Sequence, residues 1–243
     1  MNTLRRFALF TATAAMAASA IACHDVVVQP DTLCGTVRTT SAEPLRHDPI
    51  LFVHGYARNA DDFCTMIGRF RSDGWLDREL YAYTYSVVAS HATDAEEIRA
   101  QVDAIMAATG ARKVDLVAHS AGSVSSRYYL KNLAGDSKVD AWVSLAGPNH
   151  GTDTAINCSF TPCLELRTGS TFLATLNTGD ETPGFPRYAT WWSPCDEVVI
   201  PRESVLLAGA TNRQTACLSH AQLLEDPVIY QQVRDWVDLA SGG

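Results

Sequence analysis

The chain is short of positive charge. It has 19 Lys and Arg against 27 Asp and Glu, a formal net charge of −8. That excess would repel nucleic-acid phosphates, and it leaves no basic patch for anionic lipid headgroups. Long hydrophobic runs are also lacking. The apolar N-terminal stretch from Phe7 to Ala22 falls short of the ~20 residues that cross a bilayer. No Cys-x-x-Cys pair or nearby histidine cluster occurs, which argues against a zinc site. Internal repeats, long linkers and low-complexity tracts are missing too. The 243 residues therefore suit one α/β domain, a fold class that often exceeds ~200 residues undivided.

What is present begins with an export signal. Arg5 and Arg6 precede the apolar stretch, and Ala18-Ser19-Ala20 or Ala20-Ile21-Ala22 supplies a cleavage site. Residues 1–22 are read as a signal peptide, 23–48 as an N-terminal arm and 49–243 as the catalytic domain. The destination is extracellular or periplasmic. Cys23 directly follows Ala20-Ile21-Ala22, which leaves open lipoprotein-type cleavage and membrane attachment through an acyl group on Cys23 alone. The other cysteines are Cys34, Cys64, Cys158, Cys163, Cys195 and Cys217. An even number in an exported chain points to disulfides, whose pairing sequence alone does not choose. The preferred set is Cys34–Cys64, Cys158–Cys163 and Cys195–Cys217.

Strand and helix patterns alternate along the chain. A short apolar run without period-two alternation, at Pro49–Val53, reads as a strand covered on both faces, and Val114–Val117 reads as another strand. Further strands are expected at Tyr81–Tyr85, Ala141–Ala146, Tyr188–Trp192 and Val205–Ala208. A helix from Asn59 or Asp61 carries Phe63, Met66, Ile67 and Phe70. Another, with Thr93 and Glu96 as a capping box, carries Ile98, Val102, Ile105 and Met106. A last helix is expected over Leu223–Leu239. Such alternation predicts a mostly parallel sheet with helices on both faces. The irregular stretch from Gly147 to Pro186 is long enough to cover a site.

The chemistry centres on Ala118-His119-Ser120-Ala121-Gly122, between an apolar run and an amphipathic one. A strand that turns sharply into a helix around a serine is a nucleophile elbow, with small residues required on either side. A serine hydroxyl needs a base within reach, and the base needs an orienting acid. In chain order the acid and then the histidine must follow Ser120. Asp196 and His220 meet that order. Glu197, Asp180 and Asp153 are rival acids, and His150 is a rival histidine. The His119 ring, inside the elbow, is expected to point away from the serine. The oxyanion donors expected are the backbone N–H of Ala121 and that of Tyr56 in Val53-His54-Gly55-Tyr56. A Cys195–Cys217 bond would tie the acid loop to the histidine loop.

With those residues in place, the chain resembles the bacterial class 2 lipases, small secreted triacylglycerol lipases of the α/β-hydrolase fold. The resemblance runs from about Pro49 to Trp236. It rests on the two motifs above, on Gly147-Pro148-Asn149-His150-Gly151 and Gly179-Asp180-Glu181-Thr182-Pro183-Gly184, and most of all on Trp191-Trp192-Ser193-Pro194-Cys195-Asp196-Glu197 followed by Ser219-His220. It implies an α/β-hydrolase fold with little or no cap. It also implies hydrolysis of lipid or other carboxylic esters through an acyl-enzyme on Ser120, with His220 as base and Asp196 as orienting acid, and no cofactor. Some relatives bind structural calcium, but no matching ligand set is found here. The competing readings are another acyl hydrolase on this frame, such as a polyhydroxyalkanoate depolymerase or thioesterase, and a non-catalytic surface lipoprotein. Oligomeric state and acyl-chain length are not readable from the residues.

Overall fold

Apolar runs without alternation become strands that need cover on both sides. In the computed structural model, residues 32–37, 43–86 and 88–239 are described. The expected signal peptide, Cys23 and the rest of the arm lie outside the described residues. The strands are β1 (Thr32–Leu33), β2 (Thr36–Val37), β3 (Ile50–Val53), β4 (Leu80–Ala82), β5 (Val114–His119), β6 (Val139–Leu145), β7 (Arg187–Trp192) and β8 (Thr211–Gln214). The helices are α1 (Cys64–Ser72), α2 (His91–Thr109), α3 (Ala121–Asn132), α4 (Thr161–Glu165), α5 (Thr171–Leu176) and α6 (Pro227–Val237). Six strands form one sheet in the order β4-β3-β5-β6-β7-β8, and every neighbouring pair is parallel.

Alternate residues of each strand go to opposite faces. Phe52, Val117, Val143 and Trp191 pack with Phe63, Met66 and Phe70 around α1 and with Ile229 and Val233 of α6. Leu51, Leu116 and Trp142 pack on the other face with Ile98, Val102 and Ile105 of α2 and with Leu130 of α3. The arm joins this body. Cys34 and Gly35, both at positive φ, turn the β1–β2 hairpin. Leu33 is buried in the first cluster, and a disulfide ties Cys34 to Cys64 of α1.

Several elements differ from the sequence expectation. The last strand is not Val205–Ala208 but Thr211–Gln214. The apolar run is a connection that buries Val205 and Leu207, whereas β8 is an edge strand with mostly exposed, polar side chains. Helix α2 starts three residues before the expected box, because the Ser90 side chain accepts from the Thr93 N–H and caps His91. Helix α6 begins at Pro227, not Leu223. Asp226 caps it by accepting from the N–H groups of Val228 and Ile229, and proline suits the first helical position.

The stretch between β6 and β7 folds over α3. Its Leu166, Leu173 and Leu176 pack on Ala121 and Val124. It is latched by His91, whose backbone N–H donates to the Glu165 carboxylate at 2.8 Å and whose ring Nε2 lies 3.2 Å from the Pro162 carbonyl. Beneath it, Ser125 Oγ lies 2.9 Å from His91 Nδ1 and 3.5 Å from Asp94 Oδ2. Burial pushes His91 down to about 4. Burial, then the negative charge of Glu97, pushes Asp94 up to about 8, against the bond from Ser125. Both groups are thus uncharged at neutral pH. A carboxyl whose folded pKa is raised contributes stability that is full below its unfolded pKa and lost as pH rises through the folded one. Asp94→Asn, which stays neutral, should therefore gain stability relative to the parent as pH rises from about 4 to about 8, measured by urea unfolding at each pH.

Candidate active site

The parallel sheet delivers its connecting loops to the carboxyl ends of the strands. Between β5 and α3 one residue makes the turn. Ser120 has φ 53° and ψ −130°, a region that costs a non-glycine residue about 1–3 kcal/mol. Neighbouring backbone holds it there, with the Ser120 N–H donating to the Leu145 carbonyl at 2.9 Å and the Ser123 N–H donating to the Ser120 carbonyl at 3.0 Å. A serine at a helix start ordinarily caps it, yet the Ser120 side chain makes no capping bond. Its hydroxyl is left to the cleft. Two glycines make room. A Cβ on Gly122 would come within 2.6 Å of the Val53 carbonyl oxygen, and one on Gly55 within 2.9 Å of Ser120 Cβ.

Asp196 and His220 meet beside that serine. The His220 ring Nδ1–H donates to Asp196 Oδ2 at 2.8 Å, and both residues are buried. The other carboxylate oxygen, Oδ1, accepts from the N–H groups of Val198 at 2.8 Å and Val199 at 2.9 Å. Burial raises the Asp196 carboxyl, but the hydrogen bond and charge of His220 and the two backbone donors outweigh it and hold the group below its ordinary value. The two loops are joined twice. A disulfide links Cys195 to Cys217, and Ser193 Oγ accepts from the N–H of Cys195 at 3.1 Å and of Leu218 at 2.9 Å. The third disulfide links Cys158 to Cys163. Ser120 and His220 line one cleft of about 310 Å³, with Tyr56, Val198, Glu197 and Arg58 around them.

Tyr56 lines the cleft with Ser120, and Ala121 follows Ser120 in the chain. Ala121 opens α3, so its N–H is one of the donors a helix start leaves without an internal acceptor. The orientation of Tyr56 is set by a residue the sequence reading left without a role of its own. The His54 ring is fully buried and stacks on Tyr85 with centroids 3.9 Å apart. Its Nε2 accepts from the Tyr85 N–H at 3.2 Å, so Nδ1 carries the proton and donates to the Gly55 carbonyl at 2.8 Å. In a trans peptide the N–H lies opposite the carbonyl. Holding the Gly55 carbonyl against His54 turns the Tyr56 N–H the other way. Desolvation pushes His54 below its usual pKa and keeps it neutral.

The other candidates are elsewhere, with two exceptions. His150 pairs with Glu181 at 2.7 Å, the Asp153 carboxylate accepts from Thr168, and the Asp180 carboxylate accepts from the Thr182 N–H. Glu197 does line the cleft, but it holds the backbone of His220 rather than its ring. The expectation for His119 needs correction. Its ring does not turn away from the site but lines the cleft, 4.6 Å between centroids from the His220 ring. Ser120, at positive φ, reverses the direction of the chain there, so the residue before it borders the same opening.

A parallel sheet with its serine on a strained strand–helix turn, facing a histidine paired with an aspartate, defines the α/β-hydrolases. The model of the class 2 lipases matches residues 47–233, and the chain belongs to that family. Membership makes it an ester hydrolase. The mature form of a Bacillus licheniformis lipase, BlEst2, is similar in structure, with a TM-score of 0.72 at 17% identity over 82% of this chain and 96% of that one. Aspergillus fumigatus lipase B gives 0.66 at 16% identity, covering 79% of this chain and 53% of its own. Phospholipase PlaB from Legionella pneumophila gives 0.63 at 15%, covering 80% and 60%. At such identities the likeness is one of fold.

Gly122→Ala tests the tight contact between α3 and the end of β3. The added methyl must push the helix off the Val53 carbonyl, and overpacking of this kind costs about 1–3 kcal/mol. Urea unfolding should show that loss.

Proposed function

We propose that the protein is an exported serine hydrolase that cleaves carboxylic esters of acylglycerols through an acyl-enzyme. The observation that carries this reading is the buried 2.8 Å bond from His220 to Asp196 beside a serine whose hydroxyl caps nothing. Ser120 Oγ attacks the ester carbonyl as the free ring nitrogen of His220 takes its proton. Asp196, held ionised, stabilises the imidazolium and fixes its tautomer. The oxyanion of the tetrahedral intermediate accepts from the N–H groups of Tyr56 and Ala121. One such donor is worth about 2.7–4 kcal/mol in the transition state. His220 then protonates the departing alcohol, and water repeats the sequence on the acyl-serine. No step calls for a cofactor.

A lipid-like substrate is supported by exposed apolar side chains on a segment that touches Tyr56 of the cleft. Ile156, Phe160 and Leu164 are exposed at 71%, 58% and 44%. They flank the Cys158–Cys163 bond, and Cys158 Sγ lies 3.5 Å from the Tyr56 hydroxyl at the cleft. Export is supported by the three disulfides, which persist in oxidising compartments. Among the described residues no helix is long and apolar enough to cross a membrane. Mass spectrometry of the mature N-terminus distinguishes cleavage after residue 22 with a free Cys23 from an acylated Cys23.

Ser120→Ala should lower kcat on p-nitrophenyl butyrate by at least about ten-thousand-fold, with His220→Ala close behind. Unchanged activity in Ser120→Ala would remove this mechanism. Parallel assays on emulsified triolein, soluble tributyrin, a polyhydroxyalkanoate film and an acyl thioester then define the ester class. Turnover of triolein is the outcome expected of a lipase.

A further inference from the structure

The histidine that must move protons stands on a segment with no strand or helix to hold it. His220 follows β8 and a loop, and it precedes a single turn of 3-10 helix at Gln222–Leu224. No ladder partners are available there for its backbone N–H and carbonyl. Two side chains take those places. The Glu197 carboxylate accepts from the His220 N–H at 3.0 Å. The His119 ring Nε2–H donates to the His220 carbonyl at 3.1 Å.

We infer that His119 and Glu197 are positioning residues that clamp the His220 backbone at its carbonyl and at its N–H and so aim its imidazole at Ser120. The inference rests on the proposed hydrolase reading. The clamp is built from the immediate neighbours of the other two reacting groups, since His119 precedes Ser120 and Glu197 follows Asp196. The elbow and the acid loop therefore each grip the backbone of the base, and the acid loop holds its ring as well. Rigidity here has a large effect, because a displacement of about 1 Å at a reacting group costs on the order of a hundredfold in rate.

The charges of the two jaws suit the task. His119 is buried, and its bond to a carbonyl requires the proton on Nε2; its Nδ1 has no partner. Desolvation, followed by the charge of His220, pushes it well below the ordinary histidine pKa. A neutral donor therefore stands beside the ring that becomes cationic, where an imidazolium at 4.6 Å would oppose it. The anionic jaw, Glu197, favours that cation. One side chain holds without repelling, and the other holds and attracts.

The test uses four variants of the full protein. His119→Phe keeps the ring and loses the donor, while His119→Gln restores an amide donor. Glu197→Ala loses the acceptor, while Glu197→Gln keeps an acceptor and loses the charge. Each is read by kcat per titrated active site, by KM on p-nitrophenyl butyrate, and by the low-field proton resonance of the His220 Nδ1–H in the resting protein. His119→Phe and Glu197→Ala should lose about ten- to a hundredfold in kcat with KM within about twofold, and the resonance should broaden. His119→Gln should recover most of the rate. In Glu197→Gln the acid limb of the kcat/KM profile should move to lower pH, because loss of the anion destabilises the imidazolium. Equal losses in the Phe and Gln variants of His119, or parent rates and a sharp resonance in both donor- and acceptor-deleted variants, would overturn the clamp. If His119→Phe fails to fold, Glu197→Ala at an exposed position carries the same measurement. The resonance is read without substrate, so it survives failure of the hydrolase reading, which full activity in Ser120→Ala would signal.

Discussion

One residue turns the chain from β5 into α3, and the rest of the site is arranged around that turn. Ser120 takes a positive φ because no gentler path joins a central strand to a helix packed directly on it. The strain persists because its surroundings over-determine it. Leu145 holds the peptide from β6, Gly122 lets α3 press onto the end of β3, and Gly55 lets the next loop come up against the serine. A backbone so fixed exposes the hydroxyl and, one residue later, the first free N–H of a helix. The proposed nucleophile and one proposed oxyanion donor thus come from a single piece of geometry.

The partners of the serine arrive from far along the chain, and the sheet brings them to the same edge. Hydrogen bonds continue past the formal strand ends, from the Ala146 N–H to Trp191 and from the Thr215 N–H to Trp192. They carry the order of the ladder into the loops. The Cys195–Cys217 bond and Ser193 then join the acid loop to the histidine loop, so that a polar edge strand with little core of its own is held against β7.

What the sequence disclosed follows the strength of local physics. The inner strands were legible because both of their faces are buried, which leaves unbroken apolar runs such as Leu51-Phe52-Val53. The elbow was legible because strain demands small neighbours. β8 was not, because an edge strand exposed to water reads Thr-Asn-Arg-Gln while the buried connection before it reads like a strand. The start of α2 was missed because two hydroxyl residues compete for one cap, and only the backbone shows that Ser90 holds it. Tertiary contacts across long separations, His54 to Tyr85 and His119 to His220, leave no periodic trace. For His54 the remaining signal was its place beside Gly55 in an expected oxyanion loop. For His119 it was its place inside the elbow.

The chain buries four histidines among the described residues, and their environments separate their tasks. His54, His91 and His119 are each pushed below the ordinary pKa by desolvation first of all. Each of their rings donates to a backbone carbonyl: Gly55, Pro162 and His220. They serve as neutral brackets. His91 does have a carboxyl nearby, Asp94 at 3.8 Å, but that group is itself pushed up to about 8 and brings no charge at neutral pH. His220 alone among the four has its ring bonded to a carboxyl held below its ordinary range. Burial with no ionised partner keeps the other three rings neutral, whereas His220 faces a carboxylate that two backbone N–H groups help keep ionised.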